Sequence, residues 1–399
     1  MSTTTDLLSV DEALRLVLTR VQPLDAADVA LEESAGRVLA GDARSAVDLP
    51  PFPSSAMDGF ALRAADTPGT LPIVARIAAG RPATRSLAPG EAMAIATGGV
   101  VPAGADSVVP IEDVEEGADS VVVPTATESG ANIRPRGGDL RAGETVVEAG
   151  TRLGPAQVGA LAAAGVARVR CHRAPRAVVV VTGTELCAPG DPLGPGEIYD
   201  ANGYILATQL ASAGAEVERL PPVKDDPAAT RDAIERGLAA DVLITTGGVS
   251  VGVYDLVRAV EAELGVEEVF WRVAVRPGKP VAFGVRGRTL VFGLPGNPVS
   301  SLVGFELFVR PALLALQGVE NAAPVFRPGR LGRAVKRTRA RDSLLRARTR
   351  VERDEVVLDP LSGQESHMIA QAATADALVL VPLGEGNLEA GSAVRYLSL

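Results

Sequence analysis

The spacing of apolar positions changes several times along this chain of 399 residues. Between Ser9 and Val21, Leu14, Val17, Leu18 and Val21 fall on one helical face, with Ser9 as N-cap and Glu12 at the capping-box position. The segment ALEESAGRVLA has a similar helical texture and ends near Gly41. From Val47 to Gly150 short Val/Ile runs alternate with Gly/Pro turns, the pattern of a small all-β domain. GPAQVGALAAAGV then resumes a helix with Pro155 in its first turn. The flanking helical segments are read as one discontinuous linker domain (1–46 and 147–175), from which a β-rich domain (47–146) is inserted.

From Arg176 the pattern becomes α/β. AVVVV and DVLITT are uninterrupted apolar strands of the kind buried on both faces of a parallel sheet. They alternate with the helical stretches NGYILATQLASAG, DPAATRDAIERGLA and YDLVRAVEAELG. VEEVFWRVAV, PVAFGV and TLVFGL read as further strands, and NPVSSLVGFELFVRPALLAL as a long closing helix. The expected fold class is a multidomain α/β plus β protein: a doubly wound α/β domain (176–321), followed by a C-terminal β domain (322–399). That tail holds eleven basic and two acidic residues between Arg327 and Arg353, either a solvated set of charged β-edges or an anion-facing surface.

Composition narrows the chemistry. A net charge of -10 argues against nucleic acid as partner, while leaving room for a local basic pocket. Two cysteines and two histidines nearly exclude disulfide frameworks and Cys/His zinc sites; His172, in a polar connection, is not a good general base. The N-terminus lacks a basic and an apolar signal region, and no apolar run approaches the ~20 residues of a membrane span, so no membrane role and a cytoplasmic location are expected.

Candidate chemistry sits at the strand ends. TGTEL follows the first strand, GGVSVG precedes a helix, and PGNPVSS offers Asn297 as N-cap and Pro298 at N1. Gly-rich turns entering helices present unpaired N–H groups to an anion. None matches G-x-G-x-x-G or the P-loop, so the inference is a different phosphate-bearing small molecule. Glu185, Asp225, Asp226 and Asp255 lie on or near these turns; Asp226 and Asp255 are also plain helix-cap candidates, but together the four suggest Mg²⁺. Arg272, Arg276 and Lys279 oppose them, with the two arginines on one face of an alternating strand. Earlier in the chain, DLPPFPSSAMDGFAL carries Asp58-Gly59, by itself a strong hairpin signal.

TTGGVSVGVYD, RPGKPVAF and GLPGNPVSS, with PPFPSSAMDGFA, AIATGGVVPAGADSVVP and SGQESHMIA, resemble the molybdopterin molybdenumtransferase family across essentially the whole chain. That family includes the C-terminal enzyme domain of gephyrin. The resemblance implies Mg-dependent insertion of molybdate into adenylylated molybdopterin with release of AMP, by a homodimer of four-domain subunits. The family places its active sites between the inserted domain of one subunit and the α/β and C-terminal domains of the other. It assigns catalytic roles to Asp58 (M-D-G), Thr97 (A-T-G), Glu185 and Asp255. It places substrate binding on Lys279, Pro295, Pro298, Ser366 and Arg346, while the turns themselves suggest that backbone N–H groups of Gly247, Gly248 and Ser250 hold phosphate, with Asn297 of the third turn as a further substrate-binding candidate. Arg272 and Arg276 stand where the family often has lysine; they keep the charge but not the ammonium geometry. Molybdopterin adenylyltransferase and apo-molybdoenzymes are the implied protein partners. The competing readings are the adenylyltransferase itself, a non-catalytic scaffold, and a competence-protein-like nucleotide hydrolase. The MDG insert speaks against the first and third, and the retained acidic residues against the second.

Overall fold

The computed structural model describes residues 7–247 and 253–399, the side chains of residues 253–255 excepted. The chain forms two units, Asp28–Cys171 and a second made of residues up to Ala27 with His172–Leu399. Helix α1 (Val10–Leu18) starts as its sequence dictates: Ser9 Oγ accepts the Glu12 N–H at 3.2 Å. Its apolar face sends Ala13 and Val17, both fully buried, into the core of the second unit.

In the first unit, β1 (Gly59–Leu62), β2 (Gly69–Ile77), β3 (Ala92–Ile95), β4 (Ser107–Pro110), β5 (Glu115–Glu116) and β6 (Ser120–Val123) form one sheet, ordered β4-β1-β3-β2-β6-β5. Alternation along β1 puts Phe60 and Leu62 in one core and Ala61 in another. Asp58-Gly59 is not a hairpin tip. Ser54–Ser55 pairs with Ile133–Arg134, while β1 pairs with β3 and β4. Gly59 is required by space, since a Cβ there would lie 2.0 Å from the Val109 carbonyl oxygen.

The segment ALEESAGRVLA departs from expectation. Only Leu31–Glu33 coils, as a 3-10 turn. Gly36 turns the chain at φ +79°, and Val38 and Leu39 bridge to Arg152 and Cys171. Leu31 N–H bonds the Ala167 carbonyl, so these backbone groups find partners across the fold rather than along a helix. Helix α2 (Pro155–Ala163), with Pro155 in its first turn as read, buries Leu161 against Val29, Leu39, Val147 and Val169.

The second unit is built on β7 (Arg176–Thr182), α3 (Asn202–Ser212), β8 (Glu216–Arg219), α4 (Pro227–Gly237), β9 (Val242–Gly247), α5 (Val253–Glu263) and β10 (Glu267–Trp271). After β11 (Val275–Arg276) come β12 (Ala282–Arg286), β13 (Thr289–Leu294), α6 (Pro298–Gly304) and α7 (Arg310–Leu316). The sheet order is β8-β7-β9-β13-β12-β10. The first four strands are parallel, and β12 and β10 complete the sheet antiparallel. Both faces are covered. Val179 and Val181 pack with α3 and the closing helix, Val178 and Val180 with α4 and α5. That two-sided burial is why AVVVV has no polar alternation.

The closing helix runs through a π-helical stretch, Phe305–Val309, between α6 and α7. Its 19 residues meet the composition of a membrane span, contrary to the reading of the sequence, but 72% of the stretch is buried as a core helix. The continuous strand expected over VEEVFWRVAV breaks at Arg272, whose φ is +82°, so Arg272 and Arg276 do not share one strand face.

The C-terminal sheet joins β14 (Arg327–Leu331), β15 (Asp342–Glu352), β16 (Glu355–Pro360), β17 (Ala377–Val381) and β18 (Ala393–Ser398). Its order is β11-β15-β16-β14-β18-β17, and β17 also pairs with β15, closing a five-stranded ring. Several arginines of the basic run form exposed pairs, Arg330 with Glu355 and Arg350 with Asp359, as charged strand edges do.

Candidate functional site

In a doubly wound sheet the crevice opens where neighbouring strands send their connections to opposite sides. Here that point lies between β7 and β9. A cleft of about 580 Å³ sits beyond their carboxyl ends, lined by Thr182, Glu185, Asp225 and Gly247, by Asn297 and Pro298 of the third turn, and by His367 from the C-terminal domain. All belong to the second unit.

Local sequence explains the shape. Gly247 has φ +113°, and a Cβ on it would lie 2.0 Å from the Thr182 carbonyl oxygen, so only glycine lets β9 end this close to β7. Glu185 folds its carboxylate back over Gly183. Thr184 ties this turn to the next, donating its N–H (3.3 Å) and hydroxyl (3.1 Å) to Asp225 Oδ2. Asp226 is the N-cap of α4, accepting the Ala229 N–H at 2.8 Å, and unlike Asp225 it is not among the residues lining the cleft, so it does not join the metal set expected from sequence. Asn297 occupies the N-cap position of α6 without a side-chain cap bond, and Pro298 is at N1. Gly248, Ser250 and the Asp255 side chain lie outside the described residues.

Among the described residues no three Asp, Glu, His or Cys groups form a ready cation cage. Glu185 and Asp225 still supply two cleft-lining carboxylates, which fits Mg²⁺, an ion that takes one or two carboxylates and completes its shell with phosphate oxygens and water.

A buried polar network forms the cleft's rigid back. Asn202 Nδ2 donates to the Gly296 carbonyl (2.7 Å) and to Thr246 Oγ1 (3.1 Å), and Thr246 Oγ1 donates to the Pro295 carbonyl at 3.0 Å. Pro295 thus contributes through its carbonyl. Asp200, 1% exposed, accepts the Gly203 N–H at 2.7 Å and pairs with Arg219 at 3.2 Å. Asn202, Asp200, Tyr199 and His367 all line the cleft and were missed as site residues in sequence. The YDANGY stretch holds the first three at the start of α3, a polar cluster ahead of an apolar helix that was open to the same strand-end argument.

In the first unit, Asp58 and Thr97 meet. Thr97 donates its N–H at 2.7 Å and its hydroxyl at 3.0 Å to Asp58 Oδ1. The backbone N–H first, then the hydroxyl, hold the exposed Asp58 carboxyl below its usual range. Residues separated by 39 positions therefore form one oriented carboxylate.

The basic residues behave differently from one another. Arg272, Arg276 and Lys279 are exposed and are not among the residues lining the cleft. The Arg272 guanidinium stacks on Trp271, 3.7 Å from the ring centroid. Arg346 is not an exposed anion ligand. It is 1% exposed, and its guanidinium donates to the carbonyls of Met368 (2.6 Å), Gly363 (2.6 Å) and Glu365 (3.2 Å). It shapes the loop that carries Ser366 and His367. The Ser366 carbonyl in turn accepts the Val299 N–H at 3.0 Å, docking that loop on the first turn of α6.

Comparison with known proteins covers nearly the whole chain. Family models match as the MoeA N-terminal region (domain I and II) over residues 8–165, a probable molybdopterin binding domain over 178–315, and the MoeA C-terminal region (domain IV) over 328–399. Molybdopterin molybdenumtransferase 2 of Mycobacterium tuberculosis is 36% identical over 98% of this chain and 99% of its own. The Bacillus subtilis molybdopterin molybdenumtransferase is 33% identical over 98% of this chain and 94% of its own. The crystal structure of a molybdopterin biosynthesis MoeA protein from Pyrococcus horikoshii OT3 superposes with a TM-score of 0.84 at 26% identity, covering 99% of this chain and 100% of that one. Matches that span both units leave no room for an enzyme made of the α/β core alone, and the chain belongs to the molybdopterin molybdenumtransferase family, enzymes of molybdenum cofactor biosynthesis.

Proposed function

We propose that this protein inserts molybdate into adenylylated molybdopterin, with Mg²⁺, and releases AMP, as a cytoplasmic homodimer of four-domain subunits. The observation that carries the proposal is the cleft at the β7 and β9 ends, which joins a glycine-compelled floor to two carboxylates, Glu185 and Asp225.

The residues divide the work electrostatically. Gly247 keeps the turn after β9 free of a side chain, so backbone can approach a phosphate closely. Glu185 and Asp225 would hold Mg²⁺, which supplies charge neutralisation at the pyrophosphate when bound. Thr184 restrains Asp225 through Oδ2 and leaves its other oxygen for that task. Asp58, kept ionised by Thr97, supplies a fixed negative charge and proton acceptor. Arg272, Arg276 and Lys279 attract molybdate, and Ser366, carried on the Arg346-anchored loop, offers its hydroxyl to an oxyanion. In the overall reaction the two dithiolene sulfurs bind molybdenum as molybdate oxygen leaves as water with the thiol protons, and a water cleaves the phosphoanhydride between AMP and molybdopterin so that AMP departs.

The test mixes the purified protein with adenylylated molybdopterin, Mg²⁺ and molybdate. AMP release together with activation of an apo-molybdoenzyme is expected; absence of both sinks the proposal. Mixing Asp58→Asn with Glu185→Ala subunits tests the dimer, since recovered activity requires a site drawn from two subunits.

A further inference from the structure

Two buried polar atoms in the cleft have no partner among the described residues: Asn202 Oδ1 and Thr182 Oγ1. Asn202 is 7% exposed and Thr182 is 2% exposed, and both line the cleft. Buried polar groups without partners are rare in folded proteins, because each forfeits its hydrogen bonds to water. Two at one cavity point to a ligand.

The orientation of Asn202 is settled by its surroundings. Nδ2 lies 2.7 Å from the Gly296 carbonyl, which can only accept, and 3.1 Å from Thr246 Oγ1. Thr246 Oγ1 is itself held by the Pro295 carbonyl (3.0 Å). Flipping the amide would set two oxygens face to face, so Oδ1 must be the atom left unpaired. It is an acceptor only. Phosphate and molybdate oxygens are acceptors as well and gain nothing there. An N–H donor does.

The walls suit a flat ring. Val181, Leu186, Ile198 and Ile369 supply apolar surface, with Tyr199 beside them. We infer that Asn202 Oδ1 is a specificity-determining acceptor that reads an N–H donor edge on a heteroaromatic ring of the substrate, with the Thr182 hydroxyl, able to donate or accept, as a second polar contact to the same ligand. This rests on the proposed function, whose substrate carries two such rings: the pterin, with its 2-amino and N3–H groups, and the adenine, with its 6-amino group. Donor selection by a fixed acceptor discriminates strongly, because the analogue lacking the donor leaves the protein group unpaired.

The experiment is calorimetric titration of the whole protein with two ligand sets. One is AMP against purine riboside 5′-monophosphate, which lacks the 6-amino group. The other is pterin against its 2-deamino and 3-methyl forms. Loss of the donor read by the site is expected to weaken binding about tenfold or more. The arm that shows the loss identifies which ring occupies the floor. Thr182→Val removes a hydroxyl with no partner among the described residues, so its thermal unfolding should match wild type while the ratio between ligand and analogue shrinks. Asn202→Ala should shrink the ratio further, with folding followed by circular dichroism. AMP and pterin that bind as well as their analogues, in wild type and variants alike, overturn this inference alone and leave the two atoms to water. Failure of both rings to bind at all overturns the proposed function with it.

Discussion

Glu261 offers a quantitative check on the α/β domain. It lies on α5, is 8% exposed, and accepts from Thr245 Oγ1 of β9 at 3.3 Å. The same carboxyl borders a small void shared with Thr246 and Gly247, beneath the strand end that floors the cleft. Burial pushes its pKa from 4.5 up to about 7; the Thr245 hydrogen bond opposes this, Glu268 adds to it, and Arg258 opposes it. Because the folded value exceeds the unfolded one, the contribution of the neutral acid is fully present below 4.5 and is lost as pH rises through about 7. The whole shift corresponds to on the order of 3 kcal/mol, of which about 2 kcal/mol accrues between pH 5.5 and 8.5. Glu261→Gln keeps the shape and the acceptor for Thr245 without the charge. The variant should therefore gain about 2 kcal/mol on wild type across that range, the gain growing with pH. Guanidinium titrations followed by fluorescence of Trp271, the single tryptophan, read this domain directly. Parallel pH profiles for variant and wild type would refute the reasoning.

Substitutions at three further positions test other parts of the fold and site. Thr97→Val removes one of the two donors that hold the Asp58 carboxyl low, so the acid limb of the AMP-release profile should move to higher pH; an unmoved limb separates Asp58 from the chemistry. Arg346→Met leaves three carbonyls of the Ser366 loop without their donor, and should cost on the order of 3 kcal/mol while raising KM for molybdate. Arg346→Lys should recover part of both losses, and unchanged kinetics in the Met variant would deny the loop a role. Gly59→Ala drives a Cβ onto the Val109 carbonyl and should destabilise the β-rich sheet by about 1–3 kcal/mol in urea titrations; a wild-type midpoint would contradict the close packing of β1 on β4.

Much of the second unit was written in local pattern. Runs such as AVVVV and DVLITT are apolar because both faces of the parallel strands are covered, and helix starts at Ser9, Asp226 and Pro298 follow from cap chemistry within a few residues. The strand-end rule, applied to sequence alone, points to Glu185, Asp225 and Gly247, all of which line the cleft. Where the pattern misled, the competing force came from elsewhere in the chain. ALEESAGRVLA has helical spacing, yet Ala167, Arg152 and Cys171 supply its partners. WRVAV alternates as a strand, yet Arg272 turns back at positive φ.

What the chain determines by itself is periodicity, caps, glycine-rich turns and the motifs that carry family resemblance, because each depends on neighbours within a few positions. Tertiary structure alone decided which polar atoms end up paired. It set Thr97 on Asp58 and committed Asp226 to a helix start. It turned Arg346 inward onto three carbonyls, and it left Asn202 and Thr182 lining the cleft with an atom that has no partner among the described residues. Hydrogen-bond satisfaction is a property of the packed interior, where each donor finds its acceptor only after distant segments have met.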